Sequence, residues 1–201
     1  MKKPELSLLI GLILAVLTML LSGFTEFGKE CGQINGKLLR LHVIADSDNE
    51  TDQQIKLAVR DRILEQCGDL LWCGENKEQA KTDISTRLPE IEAAANRVLN
   101  DKGCAYTAHA SIENRWFNTR TYDEVTLPAG RYDALCIRLG QAQGKNWWCV
   151  VFPPMCLPSA SEEEELAEIL TPDELRIVTD HGSYTIRFKL WEIYQRIKNG
   201  E

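Results

Sequence analysis

A chain of 201 residues, 44% of them hydrophobic and 26% charged, suffices for one packed domain and is too apolar for wholesale disorder. Its formal net charge of -7 argues against a phosphate-tracking surface, and so against DNA or RNA as a principal partner.

Residues 1–23 stand apart. Lys2 and Lys3 precede an apolar run over 6–21 that only Ser7, Gly11 and Thr18 interrupt. A charged start followed by a hydrophobic stretch about long enough to span a bilayer predicts a cleaved signal peptide or an uncleaved signal anchor. Leu20-Leu21-Ser22-Gly23 and Gly23-Phe24-Thr25 are both poor cleavage sites, and no lipobox-like run precedes Cys31. Positive charge at the N-terminus predicts that the remainder lies outside the cytoplasm, with membrane contact through residues 6–22 if they are retained. Residues 24–36, polar and with three glycines, read as a linker to a single domain over 37–201.

That domain opens on a strand over 37–45, where Leu39, Leu41 and Val43 alternate with Arg40, His42 and Ile44. Asp46-Ser47-Asp48-Asn49 then turns the chain into a helix, capped by Ser47, Asp48 or Asn49, with Glu50 and Asp52 favourable in its first turn. Ile55, Val59, Ile63 and Cys67 give that helix its apolar stripe. A second amphipathic segment covers 77–100, divided or kinked at Pro89 and closed by Gly103. Residues 104–113 alternate as a strand, 115–122 read as irregular and 122–127 as a further short strand.

Residues 133–139 and 146–152 are two β-branched and aromatic runs joined by a short polar connection with Gly140 and Gly144, which predicts a central β-hairpin. Placing Gly140 opposite Lys145 puts Ile137 across from Trp148 and Leu135 across from Val150 on one face. The other face then pairs Arg138 with Trp147 and Cys136 with Cys149, a candidate disulfide. Pro153 and Pro154 end the second run. After an acidic helix start at Glu162-Glu163-Glu164-Glu165, residues 176–179 read as a short strand. A terminal helix over 184–198 is expected to turn Ile186, Leu190, Ile193 or Tyr194, and Ile197 inward. The fold class is therefore α+β: an antiparallel sheet with a central hairpin covered by amphipathic helices, preceded by the hydrophobic segment.

Chemistry is sparse. The chain has no Gly-x-Ser-x-Gly, His-Glu-x-x-His or Gly-x-Gly-x-x-Gly. Residues 140–146 fail as a phosphate loop, and residues 46–57 fail as a calcium loop because Thr51 stands where glycine is needed and Leu57 where glutamate is. Seven cysteines leave at least one unpaired within the chain, and their spacings match no zinc pattern. No catalytic residue, metal or cofactor is called for. His42 beside Asp46 or Asp48 is the one acid–base pairing worth weighing. An exported hydrolase using it with a cysteine nucleophile, or a wall-binding module, is the alternative class.

Residues 39–61, Leu39-Arg-Leu-His-Val-Ile-Ala-Asp-Ser-Asp-Asn-Glu onward, resemble the first block of the stage II sporulation protein R family. Leu127-Pro-Ala-Gly-Arg-Tyr132 and Gly144-Lys-Asn-Trp-Trp-Cys-Val-Val-Phe-Pro-Pro-Met-Cys-Leu157 resemble its second. The resemblance covers roughly residues 38–157. It implies a signalling protein of endospore-forming bacteria, not an enzyme, secreted from the forespore into the space before the mother cell. Its partner there would be a membrane-embedded aspartic protease of the mother cell that processes a sigma-factor precursor. The expected contact surface is the polar edge of His42, Asp46, Ser47, Asp48 and Asp52, with the tip formed by Lys145, Asn146 and Trp147. In it Trp147 is either an exposed anchor or covered by a helix with Arg138 stacked on it.

Overall fold

The structure, a computed structural model, describes residues 3–71, 76–122, 124–156 and 162–200, the side chains of residues 3–6, 9, 66–71 and 181 excepted. In chain order the elements are α1 (Lys3–Lys37), β1 (Leu39–Ile44), α2 (Glu50–Leu71), α3 (Lys77–Thr86), α4 (Leu88–Asp101) and β2 (Ala108–Phe117). There follow β3 (Arg120–Thr121), β4 (Thr126–Leu127), β5 (Gly130–Leu139), β6 (Asn146–Phe152), α5 (Glu162–Ala167), α6 (Pro172–Thr179) and α7 (His181–Asn199). The chain is α+β, as its patterns predict. Asn49 caps α2, its side-chain oxygen accepting the Asp52 N–H at 2.7 Å. Pro89 marks the break between α3 and α4, which meet at Arg87.

The main sheet has the order β2-β5-β1-β6. β5 is antiparallel to β2 and parallel to β1, while β1 is antiparallel to β6. The predicted hairpin is therefore not formed: both strands exist, but β1 lies between them. Residues 140–145 pass over the end of β1, where Gly144 N–H donates to Ala45 C=O and Gln143 N–H to Asp46 C=O, both at 3.0 Å. Six residues can reach roughly 20 Å, and two strand spacings need only about 10 Å, so a hairpin-length connection can straddle a strand.

The register expectation fails with the hairpin. His42 faces Cys136 on one side and Trp148 on the other, and Cys149 faces Leu41. Leu135 and Ile137 share a core with Trp147 and Cys149, the reverse of the expected sorting. The cause is burial on both sides. One face of the sheet packs Leu39, Leu41 and Val43 against Ile55, Val59 and Ile63 of α2 and the apolar faces of α3 and α4. The other packs Tyr132, Ala134, Cys136 and Val150 against α1, α6 and α7. A strand covered on both faces has no polar side to set its register by alternation.

Three further expectations change. Residues 24–36 are not a linker but the lower half of α1, because Phe27, Cys31 and Ile34 form a buried stripe at helical spacing. Residues 176–179 are not a strand but the end of α6, opened by a capping box in which Thr171 Oγ1 accepts the Glu174 N–H and the Glu174 carboxylate accepts the Thr171 N–H. In α7 the buried apolar residues are Phe188 and Trp191, while Ile186, Leu190, Ile193, Tyr194 and Ile197 are exposed.

The cysteines are also rearranged. Cys149 is bonded to Cys156, and Cys136 is a buried free thiol beside Glu113, Arg115 and Arg138. The supposed partner strand is two places away across β1, so Cys136 and Cys149 cannot meet. The side chain of Cys67 and the whole of Cys73 lie outside the described residues. Peptide mapping of unreduced protein is expected to recover Cys149 linked to Cys156 and Cys136 alkylated only after unfolding; a Cys136–Cys149 peptide would contradict this topology.

Candidate functional site

The β1–α2 turn and the β5–β6 connection meet at one end of the sheet. Asp46 Oδ1 accepts the Gln141 N–H at 2.6 Å, and Asp48 Oδ1 accepts the Lys145 N–H at 2.6 Å. Asp52 is buried; it accepts from Ser47 Oγ at 2.5 Å and from the Tyr106 hydroxyl at 2.7 Å. The bond from Ser47, then that from Tyr106, holds its carboxyl below the usual range. Lys56, also buried, donates to Gln53 Oε1 at 2.6 Å and to the Lys145 carbonyl at 3.1 Å, and burial lowers its pKa. The structure thus brings Asp46, Ser47, Asp48, Asp52 and Lys145 together. Their bonds are spent on holding two loops in register, with the Lys145 side chain left exposed.

Trp147 and His42 leave this cluster in opposite directions. Trp147 turns to the α2 side of the sheet, half-buried, with the Arg60 guanidinium 4.2 Å from its ring centre. It is covered by a helix, and the stacking cation is Arg60 rather than Arg138. Arg60, Leu64, Trp147, Cys149 and Cys156 line a shallow groove of about 390 Å³ there.

His42 turns to the opposite face and is buried rather than presented at an edge. Its ring stacks on Trp148 with centres 3.9 Å apart and planes 12° apart. Arg115 Nη1 lies 3.4 Å from Nδ1, which accepts, while Nε2 is buried without a hydrogen-bond partner. Burial pulls its pKa down to about 4, with the nearby Asn146 side chain opposing. Burial also pushes the Cys136 thiol up. Imidazole and thiol are therefore both neutral near pH 7, the wrong charge states for a nucleophilic thiolate and its imidazolium.

The His42 shift has a stability consequence. In the unfolded chain the imidazole regains its ordinary pKa near 6.5, so below that pH the unfolded state binds the extra proton. Stability supplied by the neutral form is present above pH 6.5 and lost as pH falls towards 4, by roughly 2–3 kcal/mol. His42→Gln is expected to flatten the fall in urea midpoint between pH 7 and pH 4.5. An equally steep fall in the variant would remove His42 as its source.

Beside His42 the same sheet face carries an ion-pair array that depends on β2 pairing with β5, a pairing with no local mark in the sequence, and residues 115–117 extend β2 where an irregular stretch is expected. Arg138 grips Glu113 through both its terminal nitrogens, Nη2 at 2.7 Å from Oε2, and Ser111 Oγ donates to Glu113 Oε1 at 2.6 Å. The Arg138 bonds hold the Glu113 carboxyl down to about 2. Arg115 and Arg138 stay about one-third exposed, at 34% and 33%, and Arg120 lies 5.6 Å from the Trp148 ring. The detectable signal was the alternation of Glu113 and Arg115, which suits cross-strand pairing. Among the described residues no group of three or more His, Cys, Asp or Glu is arranged to hold a metal ion. What the geometry offers is a charged and aromatic surface at the sheet end, flanked by exposed Lys145 and Asn146.

Residues 35–162 match the family model described as Stage II sporulation protein R (spore_II_R). Stage II sporulation protein R of Bacillus subtilis (strain 168) is 34% identical over 135 residues, a span covering 67% of this chain and 60% of that relative's length. No solved structure matches the chain. The matched stretch contains the whole sheet and α2 to α4, and ends before α6 and α7.

Proposed function

Since the chain belongs to the stage II sporulation protein R family, we propose that it is an extracytoplasmic signalling protein of endospore formation, secreted from the forespore to activate a mother-cell membrane aspartic protease that processes a sigma-factor precursor. A role in sporulation follows from the family; activation of the protease is proposed beyond it. The observation that carries it is α1. This helix is long and apolar enough to cross a membrane, its upper side chains are exposed, and its lower half is built into the domain core. A helix of that kind exports the chain and presents a folded domain directly at a membrane surface, where a membrane-embedded protease can be reached.

In this reading the chain is a ligand and not an enzyme. Neutral His42 and Cys136 favour that over a thiol hydrolase. The contact surface shifts accordingly from the Asp46–Asp52 cluster, whose carboxylates bind their own loops, to the array of Arg115, Arg138, Trp148 and exposed Lys145 and Asn146.

The test is complementation. In sporulating Bacillus subtilis lacking its own stage II sporulation protein R, forespore synthesis of this chain is expected to restore precursor cleavage. The same chain without residues 1–22 is expected to fail. Restoration by the shortened, cytoplasmic form would overturn the extracytoplasmic reading. Lack of restoration by an intact, exported and folded chain would count against protease activation.

A further inference from the structure

The C-terminal helix α7 carries two apolar stripes, and the domain covers one of them. Phe188 and Trp191 are buried, the latter donating its indole N–H to the Ala129 carbonyl at 3.2 Å. On the opposite side Ile186 (74% exposed), Leu190, Ile193 and Ile197 (78%) recur at i, i+4, i+7 and i+11, with Tyr194 beside them. At 3.6 residues per turn these five occupy an arc of about 100°. The exposed cations fall along its two edges, Lys189 and Arg196 on one side, Arg187 and Lys198 on the other. An apolar stripe bordered on both edges by long basic side chains is the pattern of a helix lying in a membrane surface, with the stems along the acyl chains and the charges at the headgroups.

The position of α7 on α1 says which surface. Phe24 packs against Trp191 and Tyr194, with ring centres 5.8 and 5.6 Å apart, and Phe27 against Tyr184 and Phe188 at 5.9 and 5.4 Å. Gly28 lies so close that a Cβ there would stand 2.3 Å from the Trp191 ring. The apolar run of α1 ends at Leu21, three residues before Phe24, a rise of about 4.5 Å. That is within the headgroup layer, roughly 5–8 Å deep on each side of the hydrocarbon. Contacts that advance only from Phe24 to Gly28 on α1 advance from Tyr184 to Tyr194 on α7, so the helices cross steeply and α7 does not run alongside α1.

We propose that α7 is an interfacial helix, laying the stripe of Ile186, Leu190, Ile193 and Ile197 into the surface of the bilayer that α1 enters, with Arg187, Lys189, Arg196 and Lys198 on anionic headgroups. The proposal rests on reading α1 as a membrane segment. Two attachments in place of one fix the orientation of the domain on the membrane, so that the sheet end is held at a set angle and does not swing on a tether.

The test uses the full chain in nanodiscs containing phosphatidylglycerol, with a photoreactive benzoylphenylalanine in place of Ile197, of Leu17 in α1, or of exposed Lys102 at the end of α4. Lipid adducts are expected at positions 17 and 197 at about tenfold the yield at position 102, as acyl-chain contact against water predicts. Adducts at 17 with 197 no higher than 102 would overturn the role of α7 while leaving α1 in the membrane. Absence of adducts at 17 would overturn the membrane reading, and this proposal with it. Adducts at 197 that join a second protein chain and not lipid would also overturn it, by assigning the stripe to a protein partner.

Discussion

Arg40→Ala is expected to lower the unfolding free energy by about 3–5 kcal/mol, the range for truncating a large buried side chain. Arg40 is fully buried on β1, pointing into the core shared with α1, α6 and α7. Its Nε donates to the Cys149 carbonyl at 3.0 Å and its Nη2 to the Tyr122 hydroxyl at 2.5 Å. The guanidinium stands 4.6 Å from the ring centre of Phe117, 5.1 Å from Tyr132 and 5.7 Å from Tyr122. An aromatic box of this kind attracts a desolvated cation through the ring faces. Truncation removes the cation–π attraction, opens a hole among three rings and leaves a buried carbonyl and phenol short of a donor. Arg40→Met refills most of the volume without a charge, and is expected to cost clearly less than alanine, since buried charges are often replaceable by matched apolar volume. Urea unfolding of the chain in mild detergent reads both. An alanine variant within 1 kcal/mol of the parent would show that the box contributes little to stability.

Gly144→Val is the second, with an expected loss of about 3 kcal/mol, at the upper end for forced overpacking. A Cβ at Gly144 would stand 2.2 Å from the Ser47 carbonyl oxygen, 2.5 Å from its carbon and 2.9 Å from the Ala45 Cβ. Two of these atoms are backbone, so no side-chain rotation relieves the clash. The residue is glycine because two chain segments touch there, not because of an unusual φ. The insult would also separate Gly144 N–H from the Ala45 carbonyl and Lys145 N–H from Asp48, loosening the connection that crosses β1. Gly32→Ala makes the control. Its Cβ would meet nothing within 4 Å, and alanine is the better helix former by about 1 kcal/mol, so that variant should match or exceed the parent. Equal melting temperatures for the Gly144→Val and parent chains would contradict the crossing geometry.

What was legible in the sequence follows from where burial is one-sided. Ile55, Val59 and Ile63 pointed to their core because α2 has a wet side, and Pro89 marked the α3–α4 break because its ring cannot sit in a helix interior. β5 and β6 were recognised as strands from composition, yet their pairing was not. With Ile137 and Cys136 buried on opposite faces, alternation could not choose a register, and β1 as the strand between them left no local mark. For α7 the period was right and the face wrong, because the helix has an apolar stripe on each side and only packing decides which is covered. Thr171-Pro-Asp-Glu174 is a capping box, and residues 176–179, which suit a strand by composition, are the end of the helix that it opens. The candidate site was half legible. Asp46, Ser47, Asp48, Asp52 and Lys145 do converge, but Asp46 and Asp48 satisfy backbone donors and Asp52 the Ser47 and Tyr106 hydroxyls, while Trp147 turns to the α2 side and His42 is withdrawn into the opposite sheet face.

The most direct measurement is reconstitution in a non-sporulating host that makes the membrane protease and its sigma-factor precursor, with this chain added in exported or cytoplasmic form. Precursor cleavage is expected only with the exported form, and is expected to be lost when the chain carries Lys145→Glu and Arg138→Glu with its export and folding intact. Cleavage that is equal with and without the exported chain, while the chain is demonstrably outside the cytoplasm and folded, would contradict direct activation.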